Sequence, residues 1–120
     1  MDKLLPDIDS EERVLFLVTT FYSRMLKDNE LAPFFSHIDL KTHLPRMADF
    51  WSFILIDKPG YNANVFEKHI NLPLKAVHFD LWLRTFKKTI VDFFEGPKAR
   101  LACERAELLK YTFMSKLKIE

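Results

Sequence analysis

Four side chains carry donor or ligand chemistry where a plain helical core needs none: Tyr22, His43, His69 and Trp82. His69 follows Phe66 by three residues and precedes Leu72 by three, so on a helix all three share one face. An imidazole on an apolar face is costly unless its nitrogens find partners. One solution is iron coordination through one nitrogen, with a backbone carbonyl taking the N–H of the other. The other is hydrogen bonding within the core, and taken alone it is the commoner of the two. Tyr22 poses the same choice. A buried phenol directs its hydroxyl to an acceptor, which is either a backbone carbonyl or a bound ligand that takes on negative charge. The indole N–H of Trp82 likewise wants an acceptor once buried. His43 falls at a helix entrance, where a surface position is the usual outcome, and His37 and His78 read as surface residues.

These residues need helices to hold them. Ser10 is a good N-cap, and Glu11 and Glu12 suit the positive end of a helix dipole, which predicts a first helix from about Glu11 to Lys27. Val14, Val18, Phe21 and Met25 repeat along it at helical spacing, with Tyr22 beside Phe21 on the buried face. A short turn around Pro33 contributes Phe34 and Phe35. A second long helix carries Leu44, Met47, Ala48, Trp51, Ile54 and Leu55, and Thr42 as its N-cap would put Pro45 in the first turn, where a missing N–H costs little. Asp57 to Asn64 reads as a loop. A short helix from about Val65 to Ile70 presents Phe66 and His69, and Leu72-Pro73 ends it. A third long helix spans about Lys75 to Phe94, with Phe79, Trp82, Leu83, Phe86, Ile90 and Phe93 inward. Pro97 starts the last helix, whose stripe is Ala99, Cys103, Ala106, Leu109, Phe113 and Leu117. No segment alternates with a period of two, so the chain reads as all-α.

Composition narrows the function classes. The 120 residues suit one domain, 1–120, and a hydrophobic share of 48% can fill a core at that size. Twelve Phe are more apolar surface than a small helical bundle needs, which fits either an aromatic core or the wall of a large flat ligand. The basic and acidic totals, 18 and 17, nearly cancel, and no basic patch suggests a nucleic-acid partner. The single Cys103 excludes an internal disulfide, and it reads as a small core residue. No histidine pair has the i, i+4 spacing of a helical zinc site. No stretch resembles a signal peptide or a membrane span, so the expectation is a cytoplasmic protein without a membrane partner.

Taken together and in order, four segments resemble the truncated haemoglobins, and within them group III. Phe21-Tyr22 followed by Lys27-Asp28-Asn29-Glu30-Leu31-Ala32-Pro33-Phe34-Phe35 is similar to the family's first-helix signature. His43 through Asp49-Phe50-Trp51 is similar to its distal helix. Tyr61-Asn62 and Lys68-His69-Ile70-Asn71-Leu72-Pro73 are similar to its proximal segment. Phe79-Asp80-Leu81-Trp82-Leu83 is similar to the helix bearing its pocket tryptophan. The glycine pairs of other truncated groups are absent.

The resemblance implies a truncated globin fold, a two-over-two helical sandwich around haem b. It implies His69 as the iron ligand, Tyr22 and Trp82 as distal hydrogen-bond donors, and His43 as a residue that lines or gates the pocket. Phe21 and Met47 become distal wall, Phe66 and Tyr61 contacts of the cofactor, and Arg46 and Lys68 partners of its propionates. The function it implies is binding of O2, with CO and NO as other ligands, at a five-coordinate ferrous iron, in a monomer or weak dimer. Two other readings stand beside it. One is a haem enzyme for NO dioxygenation, nitrite reduction or peroxide chemistry, which needs an external electron donor. The other is a haem-free helical interaction domain whose aromatics are merely core.

Overall fold

The computed structural model describes residues 5–35, 39–59 and 75–116, and the account below is of these. They form five helices: α1 (Glu11–Lys27), α2 (Ala32–Phe35), α3 (Leu40–Ile56), α4 (Ala76–Phe93) and α5 (Pro97–Lys116), with no strand among them. The helix α1 has the expected bounds. Its Ser10 cap accepts from the Arg13 N–H at 3.2 Å. The interior side chains Val14, Leu17, Val18, Phe21 and Met25 are all buried.

The start of α3 departs from expectation. Asp39, not Thr42, is its N-cap, with one carboxylate oxygen accepting from the Lys41 N–H at 3.1 Å and the other from the Thr42 hydroxyl at 3.0 Å. Pro45 consequently lies inside the helix. It removes the hydrogen bond that would end on the Lys41 carbonyl, a loss softened because Lys41 is exposed to water. The other end of α3 closes on Asp57 in the left-handed region, φ 56°, and Lys98 of α5 donates to the Leu55 carbonyl, placing a cation at the negative end of the dipole. The predicted loop from Asp57 runs beyond residue 59, out of the described residues. The short helix around Val65 to Ile70 lies outside them entirely.

The four long helices pack as two pairs, α1 with α3 and α4 with α5, joined by α1 against α4 and α3 against α5. On α5 the spacing reading is half right. Ala99, Ala102, Ala106 and Phe113 are buried, while Cys103 and Leu109 are only partly so, because Ala102 lets the neighbouring helices approach. No described helix is long and apolar enough to cross a membrane.

A remote side chain organises the turn into α5. The helix starts directly after Gly96, which has no side chain to cap it. Asp7 supplies one, accepting from Lys98 N–H at 3.0 Å and Ala99 N–H at 2.8 Å. Its carboxyl group sits so close that a Cβ on Gly96 would lie 2.6 Å from the Asp7 Cγ, and Gly96 itself has φ 134°. Replacing Asp7 with alanine leaves two first-turn N–H groups without their charged acceptor. We expect Asp7→Ala to cost about 2 kcal/mol. The check is a thermal melt followed by circular dichroism, in which Tm should fall by several degrees.

Candidate functional site

The helices enclose one large cavity with side chains from all five. Phe21 and Tyr22 come from α1, Phe35 from α2, Met47 and Trp51 from α3, Trp82 from α4 and Phe113 from α5. Its empty space, including what is continuous with solvent, is about 830 Å3. The floor is a ladder of rings. Trp82 and Phe86 lie parallel within 7° at 5.8 Å, and Trp51 stacks on Phe86 at 4.7 Å. Phe21 stands edge-on to both Phe86 and Trp82. Phe86 is thus held from three sides, and large faces of Trp51 and Trp82 remain for whatever fills the space.

Polar atoms in this wall are few. Tyr22 is buried on α1, one residue from Phe21, and its hydroxyl lies 2.6 Å from Nε2 of His43 on α3. The two rings meet edge to face at 5.0 Å, and Phe35 closes on Tyr22 from the α2 side. Burial pushes the Tyr22 phenol well above its usual range, so it is a neutral donor at every physiological pH. Trp82 is partly buried and lines the cavity beside Phe21. Cys103, half-buried on α5, has its thiol pushed up by burial, which leaves it protonated and unreactive, as a core reading requires. Among the described residues no group of three or more His, Cys, Asp or Glu could hold a metal ion.

A family model for bacterial-like globins matches residues 4–114. The chain belongs to the bacterial-like globin family. Its similarity to individual members is distant in sequence and close in fold. The group 3 truncated hemoglobin ctb of Campylobacter jejuni is 24% identical over 115 residues, covering 90% of this chain and 91% of that protein. A group 1 truncated hemoglobin of Tetrahymena pyriformis is 24% identical over 106 residues, covering 88% of this chain and 86% of that protein. The crystal structure of a group III truncated hemoglobin from Campylobacter jejuni superposes with a TM-score of 0.81 at 25% identity, over 90% of this chain and 91% of that one. The fold is that of a truncated globin, and a globin is a haem-binding, oxygen-related protein that takes small diatomic ligands.

The cavity of this globin fits that cofactor. Its wall is apolar and aromatic, with flat ring faces bordering the space and polar atoms confined to a few positions, which is what a large flat apolar ligand with one reactive centre requires. Of the residues singled out in the sequence, Phe21, Tyr22, Met47 and Trp82 line it together, and His43 reaches it through Tyr22. Arg46 does not line it and is exposed on α3. His69, Phe66, Lys68 and Tyr61 lie outside the described residues, as does His37.

One residue was misread. His78, expected at the surface, is buried and lines the same cavity. Its Nδ1 accepts from the Lys75 N–H at 2.8 Å, the role a Glu or Gln plays at the third position of a capping box, and its ring packs on Phe34 at 4.6 Å. The available signal was register: His78, Trp82 and Phe86 fall at i, i+4 and i+8, so a face that buries the last two also buries the first.

Proposed function

We propose that the chain is a single globin domain, residues 1–120, that binds O2 reversibly at a five-coordinate haem b whose iron is ligated by His69. CO and NO are further ligands. Haem in the ferrous state, when bound, supplies the centre at which a diatomic ligand binds and leaves. The protein supplies everything else. Tyr22 offers a neutral O–H, kept neutral by burial, to a ligand that gains negative charge. Trp82 offers a second N–H from the same wall. Phe21 and Met47 exclude water around them, and Phe66 and Tyr61 are assigned to the cofactor's other contacts, with Lys68 and Arg46 toward its propionates.

The observation that carries this reading is the 2.6 Å contact of Tyr22 with His43 at the wall of an aromatic cavity. The hydroxyl is held at the cavity wall by an imidazole from a second helix, and burial keeps its proton on the phenol. The same contact favours a second reading as an enzyme, since two proton-bearing groups in line can supply protons to a reacting ligand. Sustained turnover then requires electrons from an external donor. We place the protein in the cytoplasm as a monomer or weak dimer.

Stoichiometric hemin added to purified apoprotein is the test. The expected result is a red protein with distinct ferric, ferrous and CO-bound spectra, the ferrous form five-coordinate. A chain that stays colourless is a helical interaction domain and removes the proposal. Steady NO consumption with a reductase, far above autoxidation, selects the enzyme.

A further inference from the structure

We propose that His78 is a fixed hydrogen-bond donor of the cavity and that it holds a carboxylate at the porphyrin edge. The inference rests on the haem reading above and adds a contact that the family resemblance assigned elsewhere, to Arg46 and Lys68.

The capping contact decides the tautomer. Nδ1 of His78 accepts from the Lys75 N–H, so the ring proton must sit on Nε2. That nitrogen is on the far side of the ring from the α4 backbone. The residue lines the cavity with only 9% of its surface exposed, and its hydrogen bond to the backbone is made through Nδ1, leaving Nε2 for the cavity side. No buried side-chain nitrogen or oxygen among the described residues lacks a partner, so this N–H faces open space rather than protein atoms, and what fills the cavity supplies its acceptor. The same tautomer excludes iron ligation. Coordination would take the Nε2 lone pair, move the proton to Nδ1 and set two N–H groups against each other at Lys75. His78 is a donor or nothing.

The acceptor follows from what surrounds it. The ring packs on Phe34, and no acidic residue stands in the first turn of α4. Asp80, one turn below the helix start, is already paired with Lys110. Among the described residues of α4, no carboxylate therefore competes. The periphery of haem is hydrocarbon except for its two carboxylates, and an anionic acceptor makes the stronger bond to an N–H in apolar surroundings. The positive end of α4 adds to the attraction without defining it. Arg46, exposed on α3 and off the cavity wall, is worse placed for the same task.

The test compares hemin with its dimethyl ester, which lacks the charged carboxylates, in the parent protein and in His78→Glu and His78→Phe. Glutamate keeps an oxygen for the Lys75 N–H, so the apoprotein should melt near the parent, while phenylalanine keeps ring volume and loses the cap. Transfer of cofactor to an excess of haem-scavenging apoprotein gives the loss rate. With hemin, both variants should lose cofactor about tenfold faster or more, the worth of one hydrogen bond to a charged group. With the dimethyl ester, His78→Phe and the parent should release at the same rate. Equal rates with hemin overturn the proposal, as does the same acceleration with the ester, which would mark a packing effect. Altered axial-ligand bands would make His78 an iron ligand and overturn it too. A parent protein that takes up neither cofactor defeats the haem reading itself, an outcome distinct from all of these.

Discussion

A His69→Ala variant is expected to purify without colour, to take up little hemin, and to regain colour when imidazole is added. The expectation follows from the histidines that remain. His43 has its Nε2 against the Tyr22 hydroxyl, and His78 has its Nδ1 committed to the Lys75 N–H. Ligation of a metal through either of these nitrogens would give up its hydrogen bond. No cluster of three or more ligating side chains exists among the described residues that could replace them. His37 and His69 are left, and of these only His69 has the sequence spacing, three residues from Phe66 and from Leu72, that would put it on one apolar face of a helix. Removing a sole axial ligand removes the bond on which retention of the cofactor depends. The ratio of Soret to protein absorbance measures the loss. Recovery with imidazole separates an emptied ligand position from a misfolded chain. A variant that loads hemin fully, with bands identical to the parent, refutes the assignment of His69.

The parts of this fold that were legible in the sequence are those set by local periodicity. The bounds of α1 follow from Ser10, two glutamates and a 3.6-residue apolar repeat, all within one stretch of chain. The start of α5 follows from Gly96-Pro97. The parts that were not legible depend on partners remote in sequence. Asp7 caps a helix 91 residues away, and nothing near Asp7 announces that. The α3 start lies at Asp39 rather than at the expected Thr42, because the Asp39 carboxylate accepts from both Lys41 and Thr42 and carries the helix back past the turn that Pro45 alone would favour. His78 was misread for a related reason. A histidine near a helix start is a surface residue by default, and its register with Trp82 and Phe86, which packs it on Phe34 at the cavity, reverses that. The candidate site shows the same division. That Tyr22, His43 and Trp82 carry unusual chemistry was readable from type and position. That the first two touch was not, because 21 residues and a change of helix separate them. The family resemblance supplied roles for these residues, and the cavity supplies the place where four of them meet.

Tyr22→Phe should accelerate O2 dissociation about ten- to hundredfold while leaving CO release much closer to the parent. The magnitude is that of one hydrogen bond to a charge-bearing acceptor, about 1.5–3 kcal/mol. The contrast between ligands follows from charge: O2 withdraws electron density and gains from a donor, and CO does so far less. The substitution removes only the hydroxyl. The phenyl ring keeps its edge contacts with Phe21, Phe35 and His43, so a packing change of the cavity is not expected to contribute. Burial holds the phenol above its ordinary value of 10.0, so raising the pH to about 10 should not accelerate dissociation in the parent, where an exposed tyrosine would begin to lose its proton. His43 sets the opposite limit. If its Nε2 accepts the Tyr22 proton, the ligand competes with that bond, and His43→Leu should slow O2 release by freeing the donor. If Nε2 donates to the phenol oxygen, the same substitution should speed release, because the hydroxyl loses the partner that aims it. Stopped-flow dissociation of both ligands from the three proteins distinguishes these cases. An O2 rate in Tyr22→Phe equal to the parent's would leave Trp82 as the sole donor and would remove Tyr22 from the mechanism.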